Sequence, residues 1–180
     1  MKGIVFTQFL EMVEEKFDYD MVNTIIQKSE LPNNGAYTSV GKYNISELRT
    51  LVYNLHKETD IPLSDLFKDF GAYFFTFLAR NYSHFLERAD TLFDFFNSIH
   101  SHIHVEVKKL YPDAELPAFE TLSINDQEMV MKYTSEKKLG DFAKGLLAKS
   151  AEYFNENVTI TSKSLNESGT QIQFNINKVQ

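Results

Sequence analysis

The residue types most able to do chemistry gather in one short segment, Ile99-His100-Ser101-His102-Ile103-His104, which runs on through Val105-Glu106-Val107-Lys108-Lys109-Leu110-Tyr111-Pro112. His100 and His104 are four apart, so one side of a helix carries both, a spacing that can chelate a metal. The glutamate of an HExxH pattern is missing and the chain has no cysteine, so no closed metal site follows from the pair. Further on, Tyr133-Thr134-Ser135-Glu136-Lys137 alternates in the manner of a strand. A tyrosine and a serine hydroxyl beside a cation can hold a carboxylate. One imidazole with such donors is equipment that can hold an iron porphyrin, the imidazole on the metal and the donors on two propionates. Each feature also has an ordinary reading: histidines that fill a core or a surface, and a strand that faces water. Helix geometry leaves the choice of ligand open, because His104 falls toward the flank of the apolar stripe and His100 nearer its centre. His56 and His84 have no partner close in sequence.

The elements that must position these groups are helical first and stranded later. Helical spacing of Phe6, Phe9, Leu10 and Val13 predicts a helix over 3–16, and a second helix follows over 18–29. Leu31-Pro32-Asn33-Asn34-Gly35 breaks the chain. Ser46 is expected to cap a helix that runs to about His56 with Leu48, Leu51, Val52 and Leu55 inside. Pro62 stands near the start of the next helix, whose wide apolar face carries Leu66, Phe67, Phe70, Phe74, Phe77 and Leu78. A long helix from about Asp90 to Leu110 then bears the histidines and stops before Pro112. After Pro117 the period drops to two, with strands over 119–124 and 128–135 joined at Asn125-Asp126. Met129, Met131, Tyr133, Ser135 and Lys137 fall on one face of the second strand. A helix over 140–155 precedes a last hairpin, 157–164 and 170–178. The expected class is α+β: an N-terminal helical bundle, then a four-stranded antiparallel sheet with one long helix inserted, as a single domain over 1–180.

Composition sets the outer limits. The net charge of -7, with lysines interleaved among acids, excludes a concentrated phosphate-binding surface, so no nucleic-acid partner is expected. No apolar run is long enough to span a bilayer and no basic-then-apolar leader is visible, which makes the cytoplasm the expected compartment and no membrane the expectation. The phenylalanines that cluster at positions 67 to 96, nine of sixteen, can line a cavity as readily as fill one. No nucleophile elbow, Walker sequence, dinucleotide fingerprint or kinase signature appears, so no enzyme is expected.

The N-terminal MKGIVF, the IHxxIHVEVxKLYP segment, Pro117 and the Tyr-x-Ser strip stand in an order and at separations that resemble the H-NOX family. These are heme-based nitric oxide and oxygen binding domains related to the sensor region of soluble guanylate cyclase. The resemblance covers essentially the whole chain and implies a fold that encloses a noncovalent heme b. It makes His104, the last of the three histidines, the proximal ligand. It aligns the family strip Tyr-x-Ser-x-Arg with Tyr133, Ser135 and Lys137 as the propionate-binding residues, and Pro117 with the proline that presses on the porphyrin. Lys137 departs from the family arginine, replacing a planar fork by one mobile point charge. That change forfeits on the order of 1 kcal/mol, small beside porphyrin burial at about 25 cal/mol per Å², so heme is still expected to bind. Some bacterial members hold a zinc through cysteines, which this chain lacks.

The resemblance also bears on the gas. Oxygen on ferrous iron needs a hydrogen-bond donor, whereas nitric oxide does not. The distal tyrosine of oxygen-binding members aligns with Phe142, and the other distal positions with Phe9 and Phe74, unless Tyr73 rather than Phe74 faces the iron. Three phenyl rings imply a nitric oxide sensor that excludes oxygen, with carbon monoxide as a second candidate ligand. By the same analogy, nitric oxide weakens the iron–His104 bond, the porphyrin relaxes against Pro117, and the signal passes to a sensor histidine kinase or a cyclic-di-GMP enzyme. The alternatives are a heme-free interaction module with a phenylalanine core, and a metal-binding protein built on His100 and His104.

Overall fold

Apolar periodicity turns into helices at the expected places in the computed structural model, which describes residues 1–179. Helix α1 (Gly3–Lys16) buries Val5, Phe6, Phe9, Met12 and Val13 on one face. Helix α2 (Tyr19–Ser29) begins where the Asp18 carboxylate accepts the Met21 N–H at 2.7 Å. Helix α3 (Ile45–Thr59) is capped by Asn44 and not by Ser46. The Asn44 side chain accepts the Ser46 N–H at 3.0 Å while Glu47 accepts the Asn44 N–H at 3.1 Å, and this reciprocal pair wins over a single serine hydroxyl. Helix α4 (Leu63–Asn81) follows Pro62 directly.

The long histidine helix is continuous in path and not in hydrogen bonding. Helix α5 (Leu92–Ser98), capped by Thr91, passes into a π-helical stretch, Ile99–Ile103, and then into α6 (His104–Leu110). It begins two residues later than the sequence suggested. The wider π turn inserts a phase shift immediately before His104, which a uniform 3.6-residue period cannot register.

Strands β1 (Ala118–Ile124), β2 (Glu128–Thr134), β3 (Val158–Ser164) and β4 (Gln171–Lys178) form one antiparallel sheet in the order β1-β2-β4-β3. Asn125 closes the first hairpin by accepting the N–H groups of Gln127 and Glu128. Between β2 and β3 lies α7 (Gly140–Tyr153), the expected inserted helix. It crosses α4 closely, because Gly71 faces the Phe142 carbonyl and Gly145 the Lys68 carbonyl, where a side chain would collide with backbone.

Burial divides into two clusters. The first joins α1, α2, α3 and the start of α4 through Phe6, Phe9, Ile25, Leu51, Leu55 and Phe70. The second packs α5 and α7 on the inner face of the sheet through Leu92, Phe96, Met129, Phe174 and Ile176. Helices α4 and α7 contribute to both, so whatever lies between the clusters is framed by those two helices.

Candidate functional site

A cavity of about 280 Å³ opens at the seam between the two clusters. Its wall is mainly apolar: Ile4 and Val5 from α1, Phe74, Phe77 and Leu78 from α4, and Phe142, Leu146 and Leu147 from α7. The histidine helix adds Ile99, Ile103, His104 and Val107, and the chain beyond it adds Leu116, Pro117 and Phe119. Tyr133 reaches in from the sheet. An apolar chamber with one imidazole in its wall fits a flat, hydrophobic group that carries a metal.

His104 is half-buried at this wall, whereas His100 is exposed and borders only a smaller space of about 200 Å³. The phase shift of the π turn separates the two histidines in this way. Burial pushes the His104 pKa down to about 4, helped by the nearby His100 and Lys108 and opposed by the nearby Pro117 backbone. The imidazole is therefore neutral at physiological pH, the form that ligates metals. Among the described residues no three His, Cys, Asp or Glu side chains converge on a common metal position.

The strip behaves as two pieces. Tyr133 is only 2 % exposed, stacks edge-on to Phe119 at 5.3 Å, and has its hydroxyl within reach of Ser135 and the Leu139 backbone. Burial raises its pKa, so the hydroxyl stays protonated and able to donate. β2 ends at Thr134, and Lys137 accordingly does not share the strand face expected for it. A tight turn takes over, in which Ser135 Oγ accepts the Lys137 N–H at 3.2 Å and Lys138 adopts a positive φ. Lys137 instead reaches the cavity-lining loop, donating to the Glu115 carbonyl and carboxylate at 3.1 and 3.0 Å.

Of the three phenylalanines singled out, Phe74 and Phe142 line the cavity, 5.7 Å apart between ring centroids. Phe9 lies one layer behind, packed edge-on to Phe70 at 5.2 Å and outside the lining. Tyr73 faces away from the chamber, where burial and the Glu15 carboxylate raise its pKa. Two lining residues escaped the sequence: Tyr82 and Tyr111, whose hydroxyls are 3.3 Å apart. Tyr111 stood in the quoted LYP segment, but nothing in its spacing announced a partner in Tyr82. The cations Lys2 and Lys42, which pair with Asp113 and Glu115, gave no sequence signal either.

Fold and site together define an α+β architecture with an apolar, histidine-bearing cavity between its two cores. Residues 2–162 match the family model described as Haem-NO-binding. The H-NOX protein from K. algicida, crystallised in the unliganded Fe(II) state, superposes with a TM-score of 0.95 at 40% identity, over 100% of this chain and 97% of that one. The S. oneidensis H-NOX protein in the Fe(II)NO state gives 0.91 at 26% identity, with both chains covered completely. The H-NOX from Shewanella woodyi, bound to IWP-051 in the Fe(II)CO state, gives 0.84 at 38% identity over 99% of this chain and 95% of that one. No curated protein sequence matches the chain. The chain belongs to the Haem-NO-binding (H-NOX) family, heme-based gas-sensing domains. Among the described residues no helix is long and apolar enough to cross a membrane.

Proposed function

We propose that this chain is a nitric oxide sensor that carries a b-type heme and excludes oxygen. The observation that carries the reading is the pairing of a neutral, half-buried His104 with the donor-free phenyl rings of Phe74 and Phe142 in one chamber. When bound, the heme supplies a ferrous iron that takes a diatomic gas as ligand. His104 is the residue to hold that iron, since it is the one histidine in the cavity wall. Tyr133, Ser135 and Lys137 hold the carboxylates, and the absence of cysteine rules out thioether attachment. Phe74 and Phe142 keep water out and offer no hydrogen to a bound gas, which disfavours oxygen and leaves nitric oxide unaffected. The hydroxyls of Tyr82 and Tyr111 share one hydrogen bond at 3.3 Å, which uses one of their two hydrogens.

A change in the force on His104 is delivered to two places. One is the π-helical stretch Ile99–Ile103, a local departure from regular helix next to the ligand. The other is the segment 111–117, tied to the helical layer through Lys2–Asp113 and Lys42–Glu115. By family analogy the response passes to a sensor histidine kinase or a cyclic-di-GMP enzyme. Anaerobic absorption spectra of the reduced protein, first alone, then with nitric oxide, then in air, test the reading. A ferrous Soret band that shifts with nitric oxide and forms no stable complex with oxygen is expected. A stable oxygen complex would contradict the exclusion, and absence of any Soret band after heme supplementation would contradict the heme.

A further inference from the structure

Lysine is a poor substitute for an arginine fork only if its ammonium is free to wander. Here both ends of Lys137 are fixed. At the root, its N–H donates to Ser135 Oγ at 3.2 Å, its carbonyl accepts from Arg49 Nη2 at 2.8 Å, and Lys138 N–H donates to the Ser135 carbonyl at 3.1 Å. At the tip, Nζ donates to the Glu115 carbonyl at 3.1 Å and to Glu115 Oε2 at 3.0 Å. Two of the three ammonium hydrogens are thereby directed, and one remains for an acceptor.

The carboxylate that does this also carries a second cation, since Lys42 Nζ donates to Glu115 Oε1 at 2.7 Å. Lys42 and Lys137 are unequal: the Lys137 side chain is 18% exposed and the Lys42 side chain 50%. The outer lysine balances the carboxylate, and the inner one, together with the nearby Met1 ammonium, leaves net positive charge beside the cavity. Without the carboxylate, two ammonium groups converging on one point would repel, and the four-carbon stem of Lys137 would carry its head out to water.

We propose that Glu115 is a positioning residue: by bridging Lys42 and Lys137 it holds the Lys137 ammonium where it takes a carboxylate of the cofactor. The inference rests on heme being the occupant of the cavity. The two lysines hold the Glu115 carboxyl at about 2, so the bridge stays charged throughout the physiological range. The opposite arrangement, in which Glu115 competes with the cofactor for Lys137, predicts an effect of opposite sign.

The test is the rate of heme loss from the loaded protein to an excess of apomyoglobin, followed at the Soret band. Wild type, Glu115→Gln, Lys137→Ala and the double variant are each loaded with natural heme and, separately, with its dimethyl ester, which has no carboxylate charge. Each single substitution should speed loss of natural heme roughly two- to ten-fold, and the double variant should lose it no faster than Lys137→Ala alone. With the dimethyl ester the four proteins should behave alike, which a merely structural role for Glu115 would not produce. Unchanged or slower loss from Glu115→Gln, an additive double variant, or an effect that persists with the ester would each overturn the proposal. A wild type that never acquires a Soret band would defeat the heme reading itself, and is recognised before any variant is compared.

Discussion

The two hydrophobic clusters border the same cavity and contribute different things to it. The helical cluster is filled to completion, with Phe6, Phe9, Ile25, Leu51, Leu55 and Phe70 all at 0% exposure. It offers the chamber only apolar wall, through Ile4, Val5, Phe74 and Phe142. The sheet cluster is equally tight at Met129, Phe174 and Ile176, yet its margin carries Tyr133 and lies against the helix that bears His104. One side of the seam therefore shapes and dries the site, and the other supplies the Tyr133 hydroxyl and His104, the iron ligand we propose. Substitutions on the two sides should separate into effects on folding and effects on the cofactor.

The largest effect on folding is expected from Phe70→Ala, which removes a fully buried ring in contact with Phe9, Phe74 and Phe142. The heme-free protein should lose about 3–5 kcal/mol in urea unfolding. Phe74→Ala, at a half-buried ring that borders existing space, should cost clearly less stability while altering the spectrum of the loaded protein. Equal costs for the two would erase the distinction between filled core and wall.

Next in size is Gly145→Ala. The added methyl group would meet the Lys68 carbonyl oxygen at 1.9 Å, and backbone on both helices must shift to admit it. Forcing α4 and α7 apart should cost about 1–3 kcal/mol. It should also change heme affinity, because these two helices frame the cavity. A variant with unaltered stability and heme uptake would show that the close crossing does not shape the chamber.

The last expected effect, absent at neutral pH, is a pH slope. His104 has a folded pKa near 4, below its ordinary value of 6.5, so between those limits the unfolded chain binds a proton that the heme-free fold does not. The stability due to neutral His104 is complete above pH 6.5 and is lost as pH falls toward 4. Urea midpoints of heme-free wild type should fall relative to those of His104→Asn as pH drops across that window. Parallel curves would mean that His104 is not desolvated by the wall.

Much of this was legible in the sequence because periodicity reports burial directly. The apolar stripes of α1 to α4, the switch to period two after Pro117 and the inserted α7 all follow from residue spacing. Three features were not. His104 could not be told from His100 by geometry, because the π turn at Ile99–Ile103 resets the helical phase just where the choice is made. Phe9, expected at the pocket from the family resemblance, sits a layer back, since Phe70 stands between it and Phe142. Glu115 was invisible as a partner because its two lysines lie 73 and 22 residues away in the chain, a pairing that only the folded topology creates.

The central claim, that a single imidazole at the seam holds the iron, is tested most directly by replacing each histidine in turn. Absorption spectra of the reduced His104→Gly and His100→Gly proteins would be recorded with and without free imidazole. The expected result is a lost five-coordinate ferrous spectrum in His104→Gly, restored by imidazole, and an unchanged spectrum in His100→Gly. A wild-type spectrum from His104→Gly without imidazole, or its loss in His100→Gly, would contradict the assignment.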